Sequence, residues 1–250
     1  MIPKRLLFTK DGRKLYVKDI SRDFHTEFGY IIVDMLKKRK GKIKTSTGKE
    51  MSIIEPSFVD LYKKIKRAPQ IISLKEIGYI IAETGINSKC RILDSGTGSG
   101  ALACYLAHIV KEVISYEIRA DFMLVAEENK KSLNLKNLRL FNKNIYDGIA
   151  EKNLDVIILD LPEPWLVIEH AERALRHGGF LVSYSPSIPQ TIDFVNKLKS
   201  NEAFIHVKTI EIIVREWEIE DRRVRPKTTG VMHTGFLSFG RRVGDRKSVV

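Results

Sequence analysis

Cysteine is scarce in this 250-residue chain. Cys90 and Cys104 are the only two, and they show no metal-binding or redox spacing. That argues against both a disulfide framework and a structural zinc site. Long apolar runs are also missing: nothing approaches the roughly 20 consecutive apolar residues of a membrane helix. The start, Met1-Ile2-Pro3-Lys4-Arg5, lacks the apolar core of a signal peptide. A cytoplasmic protein with no membrane partner is expected. The six histidines have no ligand spacing, so no metal is expected. No internal repeat or low-complexity linker interrupts the chain. With 43% hydrophobic and 30% charged residues, it reads as globular rather than disordered or fibrous. The length suits one full α/β domain plus a smaller module.

Charge is abundant and uneven. The net charge is +12, and residues 1–70 hold 18 lysines and arginines against 8 acidic residues. Residues 71–200 hold 15 against 16, and residues 201–250 hold 10 against 7. A basic excess suggests a polyanionic partner, because neutralising phosphates releases counterions and drives binding. The densest run is Lys37-Lys38-Arg39-Lys40, continued by Lys42 and Lys44. A lysine-rich solvated surface is the alternative.

The first sixty residues predict short strands. Arg5–Phe8 and Lys14–Val17 flank the turn signal Asp11-Gly12, and Lys42–Thr45 and Glu50–Ile54 flank Ser46-Thr47-Gly48-Lys49. This is a small β-rich module over residues 1–65, joined through residues 56–75 to a second domain over 66–250. From Cys90 onward strands alternate with helices. Strands are predicted at Arg91–Asp94, Glu112–Glu117, Asp155–Asp160 and Gly179–Ser183, with helices at Ala101–Val110, Asp121–Leu133 and Ile188–Leu198. Near-continuous apolar strands of this kind form a parallel sheet covered on both faces. Two later β-type runs, Ile205–Trp217 and Val231–Phe239, predict an antiparallel hairpin closing the sheet.

The loop Asp94-Ser95-Gly96-Thr97-Gly98-Ser99-Gly100-Ala101 follows a strand and opens a helix. Gly96, Gly98 and Ala101 also satisfy the relaxed dinucleotide fingerprint, so the loop alone is ambiguous. Asp94 tilts the reading, since its charge repels a pyrophosphate and favours a cationic, phosphate-free cofactor such as S-adenosylmethionine. An NAD(P)-dependent reductase is thereby disfavoured. Glu117 ends the second strand, where an acid takes hydrogen bonds from ribose hydroxyls in nucleotide-binding α/β folds. Asn144, ending the third strand region, is a candidate reader of the cofactor adenine, with Asp147 as its rival. Asp160-Leu161-Pro162-Glu163-Pro164-Trp165 closes the fourth strand at the switch point where open α/β sheets bind ligands. Tyr184 is either an aromatic wall or a packing residue, and His233 by itself reads as structural more readily than catalytic.

These residues resemble the class I S-adenosylmethionine methyltransferases and, within them, the tRNA (adenine-N1)-methyltransferases of the TrmI type. The resemblance rests on Lys66-Arg67-Ala68-Pro69-Gln70-Ile71-Ile72, Gly96–Leu102, Tyr116-Glu117, Asp160–Trp165, Tyr184-Ser185-Pro186, and Arg225-Pro226 leading to His233-Thr234-Gly235-Phe236-Leu237. It implies a Rossmann-like methyltransferase sheet after a small N-terminal β-rich module, assembled as a homotetramer. It also implies methylation of N1 of the T-loop adenine at position 58 of tRNA, with 57 beside it in archaeal members. The cofactor contacts it implies are Gln70, Asp94, Gly96, Gly98, Ser99, Gly100, Ala101, Leu102, Glu117, Asn144 and Asp160. Asp160 and Tyr184 are expected to carry the chemistry, and Lys37, Lys38, Arg39, Lys40, Arg225 and His233 are expected to meet the tRNA. Two positions depart from the pattern: Ser73-Leu74 stand where a tyrosine and proline are common, and Asn144 stands where an aspartate is common. Competing readings are a class I methyltransferase acting on rRNA, protein or a small molecule, and a non-catalytic tRNA-binding subunit.

Overall fold

Between the first two predicted strands Gly12 takes a φ of +86°, a left-handed value open to a residue without a Cβ, and its N–H donates to Thr9 O at 3.0 Å. The turn pairs β1 (Arg5–Thr9) with β2 (Lys14–Val17). A short hairpin, β3 (Phe24–Thr26) with β4 (Gly29–Ile31), leads into the one-turn helix α1 (Val33–Leu36). Strands β5 (Lys40–Lys44) and β6 (Glu50–Ile54) form the other predicted hairpin. The antiparallel order is β2-β1-β6-β5. In β6 Met51 and Ile53 are buried while Glu50, Ser52 and Ile54 are exposed, the period-2 pattern of a sheet with one covered face. Leu7, Val17, Ile31, Leu36 and Ile43 complete that core. Helix α2 (Phe58–Tyr62) starts with a capping box between Ser57 and Asp60.

The computed structural model describes residues 2–67, 71–231 and 233–244. Its internal contacts divide the chain into two units, Met1–Lys66 and Arg67–Val250. The second unit opens on α3 (Leu74–Thr84), followed by β7 (Arg91–Ser95), α4 (Ala101–Ala107), β8 (Glu112–Glu117), α5 (Ala120–Ser132) and β9 (Leu138–Asn142). A 3-10 turn at Ile145–Asp147 leads to β10 (Leu154–Leu159), a second at Pro164–Val167 to α6 (Ile168–Ala174), β11 (Leu175–Ser185) and α7 (Ile188–Lys199). The chain ends in β12 (Phe204–Glu211), the small hairpin β13 (Trp217–Glu220) and β14 (Arg223–Pro226), and β15 (Phe236–Arg242).

Seven strands form one sheet in the order β12-β15-β11-β10-β7-β8-β9. The run β11-β10-β7-β8-β9 is parallel, and β15 lies antiparallel to both β11 and β12. This is a Rossmann-like sheet, parallel with an antiparallel strand inserted near one edge. Val156, Ile157, Ile158 and Leu159 of β10 are all buried, as a central strand covered on both faces requires. The chain steps one way from β7 to β8 and β9, and the other way to β10 and β11. The carboxyl ends of β7 and β10 therefore flank a topological switch point.

Two predictions of local structure differ from the fold. The expected join over residues 56–75 contains helix α2, and at its end helix α3 begins, started by a capping box in which Ser73 N and Oγ donate to Glu76. Buried Ile77 and Ile80 hold it down, and Gly85 ends it at φ +67°. The run expected over Ile205–Trp217 stops at Glu211, because its partner β15 begins at Phe236, opposite Glu211. Trp217 then starts a separate hairpin.

Candidate active site

Strand β7 delivers Asp94 and Ser95 to the switch point, and the chain leaves it through Gly96–Gly100. Gly98 (φ +55°) and Gly100 (φ +76°) are left-handed, so the loop turns tightly into α4. A Cβ on Gly100 would also meet Ala126 Cβ at 3.1 Å. From β10, Asp160 N donates to Ser95 O at 2.6 Å and Gly96 N donates to Asp160 O at 3.3 Å. From β8, Glu117 Oε2 accepts Gly98 N at 2.7 Å while Oε1 accepts Arg119 N at 2.9 Å.

These elements enclose a cavity of about 320 Å³ lined by Ser95, Gly96, Gly98, Glu117, Asn144 and Asp160, with Tyr146, Ile118 and Phe122 among its walls. A smaller one of about 30 Å³ shares Gly96, Gly98 and Asp160 and adds Asp94, Ser99, Ala101 and Leu102. Thus Asp94, Gly96, Gly98, Ser99, Ala101, Leu102, Glu117, Asn144 and Asp160 converge. Gly100 lies just behind them as the N-cap of α4. Gln70 lies outside the described residues.

The floor of the cleft is acidic. Burial raises the Asp94 carboxyl to about 7, against the hydrogen bond it accepts from Ser115 Oγ at 2.6 Å, and the charges of Asp160 and Glu117 add to the rise. Burial raises Asp160 to about 7 as well, again with Glu117 contributing. Three carboxylates around a glycine loop repel a pyrophosphate and favour a cationic group. The Ser99 hydroxyl is buried with no hydrogen-bond partner among the described residues. A buried hydroxyl without a partner is costly and suits a polar ligand atom.

Asn144 and Asp147, which the sequence leaves as rivals, separate here. Asn144 lines both the cleft and a neighbouring depression that it shares with Asp147, Gly148 and Ile149, whereas Asp147 lines only the depression. Asn144 Oδ1 already accepts Tyr146 N at 3.1 Å, so its Nδ2 is the group left to address a ligand.

Other expected site residues lie apart from the cleft lining. Tyr184 is buried, its hydroxyl donates to Thr234 O, and its ring lies where a Cβ on Gly235 would be. Burial, with the charges of Glu76 and Asp160 added, pushes its phenol up to about 12. His233 has both nitrogens engaged, Nδ1 with Glu211 Oε1 at 2.5 Å and Nε2 with Pro186 O at 3.0 Å. Those bonds raise its pKa, led by Glu211. Arg225 Nε donates to Glu218 at 2.9 Å across the β13–β14 hairpin. In the N-terminal unit Lys37 pairs with Asp34 and Arg39 with Glu55, while Lys38 and Lys40 are exposed without an acidic partner among the described residues.

Sequence reasoning passed over Glu76. It is 1% exposed and accepts hydrogen bonds from Ser73 and from Thr234 Oγ1, the latter at 2.5 Å, with Lys75 Nζ 3.3 Å away. Burial works to raise its pKa, yet the hydrogen bonds from Ser73 and Thr234 hold it below the ordinary value. The spacing Ser73-x-x-Glu76 is a capping-box signal legible in the sequence; the contact with Thr234 is not local and leaves no such mark.

Residues 61–235 match the family described as tRNA methyltransferase complex GCD14 subunit. The tRNA (adenine(57)-N(1)/adenine(58)-N(1))-methyltransferase TrmI of Methanocaldococcus jannaschii is 36% identical, with 96% of this chain and 95% of that protein aligned. A crystal structure titled SAM-dependent O-methyltransferase, from Thermotoga maritima, superposes with a TM-score of 0.84 at 30% identity, covering 98% of this chain and 94% of the other. The tRNA (m1A58) methyltransferase TrmI of Aquifex aeolicus superposes with a TM-score of 0.79 at 25% identity, covering 98% and 99%.

Proposed function

The chain belongs to the family described as tRNA methyltransferase complex GCD14 subunit, and from that premise we propose that it transfers a methyl group from S-adenosylmethionine to N1 of an adenine in the T-loop of tRNA. The target is position 58, with 57 as a second site, the pair named for the Methanocaldococcus jannaschii relative. The observation that carries this reading is the convergence of Asp94, Glu117 and Asp160 on the Gly96–Gly100 loop at the switch point. As a tRNA-modifying enzyme it works in the cytoplasm and, on the family resemblance, as a homotetramer.

S-adenosylmethionine, when bound, supplies a methyl group on a sulfonium. The residues present fit it. Each Glu117 oxygen accepts one backbone N–H and keeps capacity for a ribose hydroxyl. Asn144 Nδ2 suits an adenine ring nitrogen, Asp94 draws an ammonium, and the Ser99 hydroxyl suits a carboxylate. No phosphate needs a place beside three acids.

Asp160 sits where both cavities meet. Its carboxylate accepts a hydrogen bond from the exocyclic amine of the target adenine. That pushes electron density toward N1 and offsets the positive charge the ring acquires. The target base must leave its stack, costing a few kcal/mol. Lys37, Lys38, Arg39 and Lys40 of the N-terminal unit contribute phosphate contacts that offset this cost, with Lys38 and Lys40 the better placed because no acid among the described residues holds them. Arg225 and His233 reach tRNA only by giving up Glu218 and Glu211. Tyr184 acts through packing.

One solved relative bears an O-methyltransferase title, and it keeps a second reading in view. An oxygen acceptor must lose a proton as it is methylated, whereas adenine N1 has none to lose. The test combines purified protein, tritiated S-adenosylmethionine and unmodified tRNA transcript, with product nucleosides identified by mass. N1-methyladenosine mapping to the T-loop is the expected result. Cofactor binding without tRNA methylation would direct the search to another acceptor or to a missing partner subunit. No cofactor binding would remove the reading at its root.

A further inference from the structure

We infer that Tyr146 and Gln190 are positioning residues that clamp the Asp160–Glu163 loop from two sides and so fix Asp160 for methyl transfer. The functional half of this inference rests on the acceptor reading above.

Pro162 and Glu163 are exposed, so burial does not hold the tip of this stretch, although Leu161 packs against the core, and the stretch belongs to neither the sheet ladder nor a helix. Hydrogen bonds to three other elements hold it instead. At its start Asp160 is tied to β7 through the Asp160 N to Ser95 O bond of 2.6 Å and the Gly96 N to Asp160 O bond of 3.3 Å. At its far end Glu163 N donates to the Tyr146 hydroxyl at 3.2 Å. Between them Pro162, which has no N–H of its own, offers its carbonyl to Gln190 Nε2 at 3.0 Å.

Both clamping side chains are themselves held. Tyr146 lies in the 3-10 turn Ile145–Asp147; its N–H is capped by Asn144 Oδ1 and its carbonyl meets His170 Nε2 of α6 at 3.1 Å. Burial raises the phenol above its ordinary pKa, so it remains a hydroxyl. Gln190 stands in the first turn of α7, where its Oε1 accepts Ser187 Oγ at 2.8 Å. A carbonyl can only accept, so the Pro162 contact requires the nitrogen of Gln190, and the Ser187 contact leaves the oxygen where it is. Asn144 lines the cofactor cavity and caps the turn carrying Tyr146, which in turn holds the loop of Asp160. The cofactor side and the acceptor side of the site are thereby one hydrogen-bonded unit, the kind of support a preorganised charge needs.

Tyr146→Phe removes only the acceptor of Glu163 N. Gln190→Glu keeps the acceptor for Ser187 and removes the donor to Pro162. Amide hydrogen exchange over residues 159–167 is measured with S-adenosylmethionine Kd, thermal midpoint, and kcat and KM on unmodified tRNA. Each variant is expected to speed exchange in that segment at least fivefold and to lower kcat about tenfold. For Gln190→Glu, whose side chain lines neither cavity, the cofactor Kd should stay within twofold, and KM should stay within threefold for both variants. Unchanged exchange overturns the clamp, and so does faster exchange with unchanged kcat. A kcat loss in Gln190→Glu matched by an equal loss of cofactor affinity assigns the loop contacts to cofactor binding and overturns the positioning role. If wild-type protein binds S-adenosylmethionine yet leaves tRNA unmethylated, the acceptor reading fails, and exchange alone decides whether these side chains hold the loop.

Discussion

Glu117 and Gly98 are joined by a 2.7 Å hydrogen bond in which the carboxylate Oε2 accepts the glycine N–H, while the other oxygen holds Arg119 N at 2.9 Å. One side chain thus secures the tip of the glycine loop and the end of β8 together. Glu117→Gln turns one acceptor into a donor facing a backbone N–H, and Glu117→Ala leaves both N–H groups unpaired. Either change should lower S-adenosylmethionine affinity at least tenfold and destabilise the domain by roughly 1–3 kcal/mol. Calorimetric titration and thermal denaturation check this; an affinity within threefold of wild type would remove Glu117 from cofactor binding.

Asp94 and Asp160 set a pH dependence whose sign follows from their shift. Both titrate near 7 in the folded chain, chiefly through burial, against roughly 3.9 for an unfolded aspartate. Folding therefore favours the protonated form. The stability this contributes to the cofactor-free protein is full below about pH 4 and is lost as pH rises through 7. A bound cation favours the ionised form, so S-adenosylmethionine affinity should rise between pH 5.5 and 7.5 and then level, with proton release below 7. Titration calorimetry in two buffers of different ionisation enthalpy measures that release. Asp94→Asn should flatten both the stability and the affinity profile; a wild-type affinity independent of pH would show that the cleft carries no such charge.

Much of this site is legible in the chain itself because its parts are local. The apolar runs at 92–93, 113–116 and 156–159 mark the central strands. The acids and glycines at their ends follow within a few residues, so Asp94, Gly96, Glu117 and Asp160 can be placed before any coordinates. Tyr184 is harder. Its position at the end of a strand is legible, but its hydroxyl partner Thr234 is fifty residues away. The burial of Glu76 depends on the same distant segment. Helix α3 does carry a local signal, the Ser73-x-x-Glu76 capping-box spacing, which is overlooked when the serine is read only as a departure from a family tyrosine. The end of β12 is set by where β15 starts, and no property of residues 205–217 encodes that.

Tyr184→Phe distinguishes packing from chemistry. The variant keeps the ring against Gly235 and removes the donor to Thr234 O. Loss of that bond should cost about 1 kcal/mol and lower the melting temperature by about 2–4 °C in a chain of this size. Cofactor affinity should not change. A hundredfold fall in kcat at unchanged stability would instead return the phenol to the reaction.

His233 sits between two acceptors, an arrangement that favours its protonated form. Its Nδ1 faces a carboxylate and its Nε2 a carbonyl, so both nitrogens donate. Its folded pKa lies above the ordinary value, chiefly through Glu211. The stability of this contact is therefore present below pH 6.5 and is lost as pH rises through the folded pKa. In histidine NMR titrations Glu211→Gln should bring the His233 midpoint back toward 6.5. A midpoint unmoved by that substitution would mean the pair does not persist in solution.

The basic run at 37–40 divides by its partners, and this predicts opposite signs for neighbouring substitutions. Lys37 Nζ lies 2.9 Å from Asp34 and Arg39 Nε 2.8 Å from Glu55. A tRNA phosphate must displace those acids to reach the cations, whereas Lys38 and Lys40 have no such partner to give up among the described residues. Such exposed pairs are weak, on the order of 0–1 kcal/mol, so the displacement is possible but not free. Lys38→Ala and Lys40→Ala should each weaken tRNA binding and reduce the slope of log K against log salt by roughly 0.7–0.9 per lost contact. Asp34→Asn and Glu55→Gln release a cation each and should strengthen binding at low salt while steepening the slope. Filter binding across a salt series, with unmodified tRNA and all four variants, checks both signs together. Slopes identical to wild type in every variant would assign the run to solvated surface and place the phosphate contacts elsewhere in the chain.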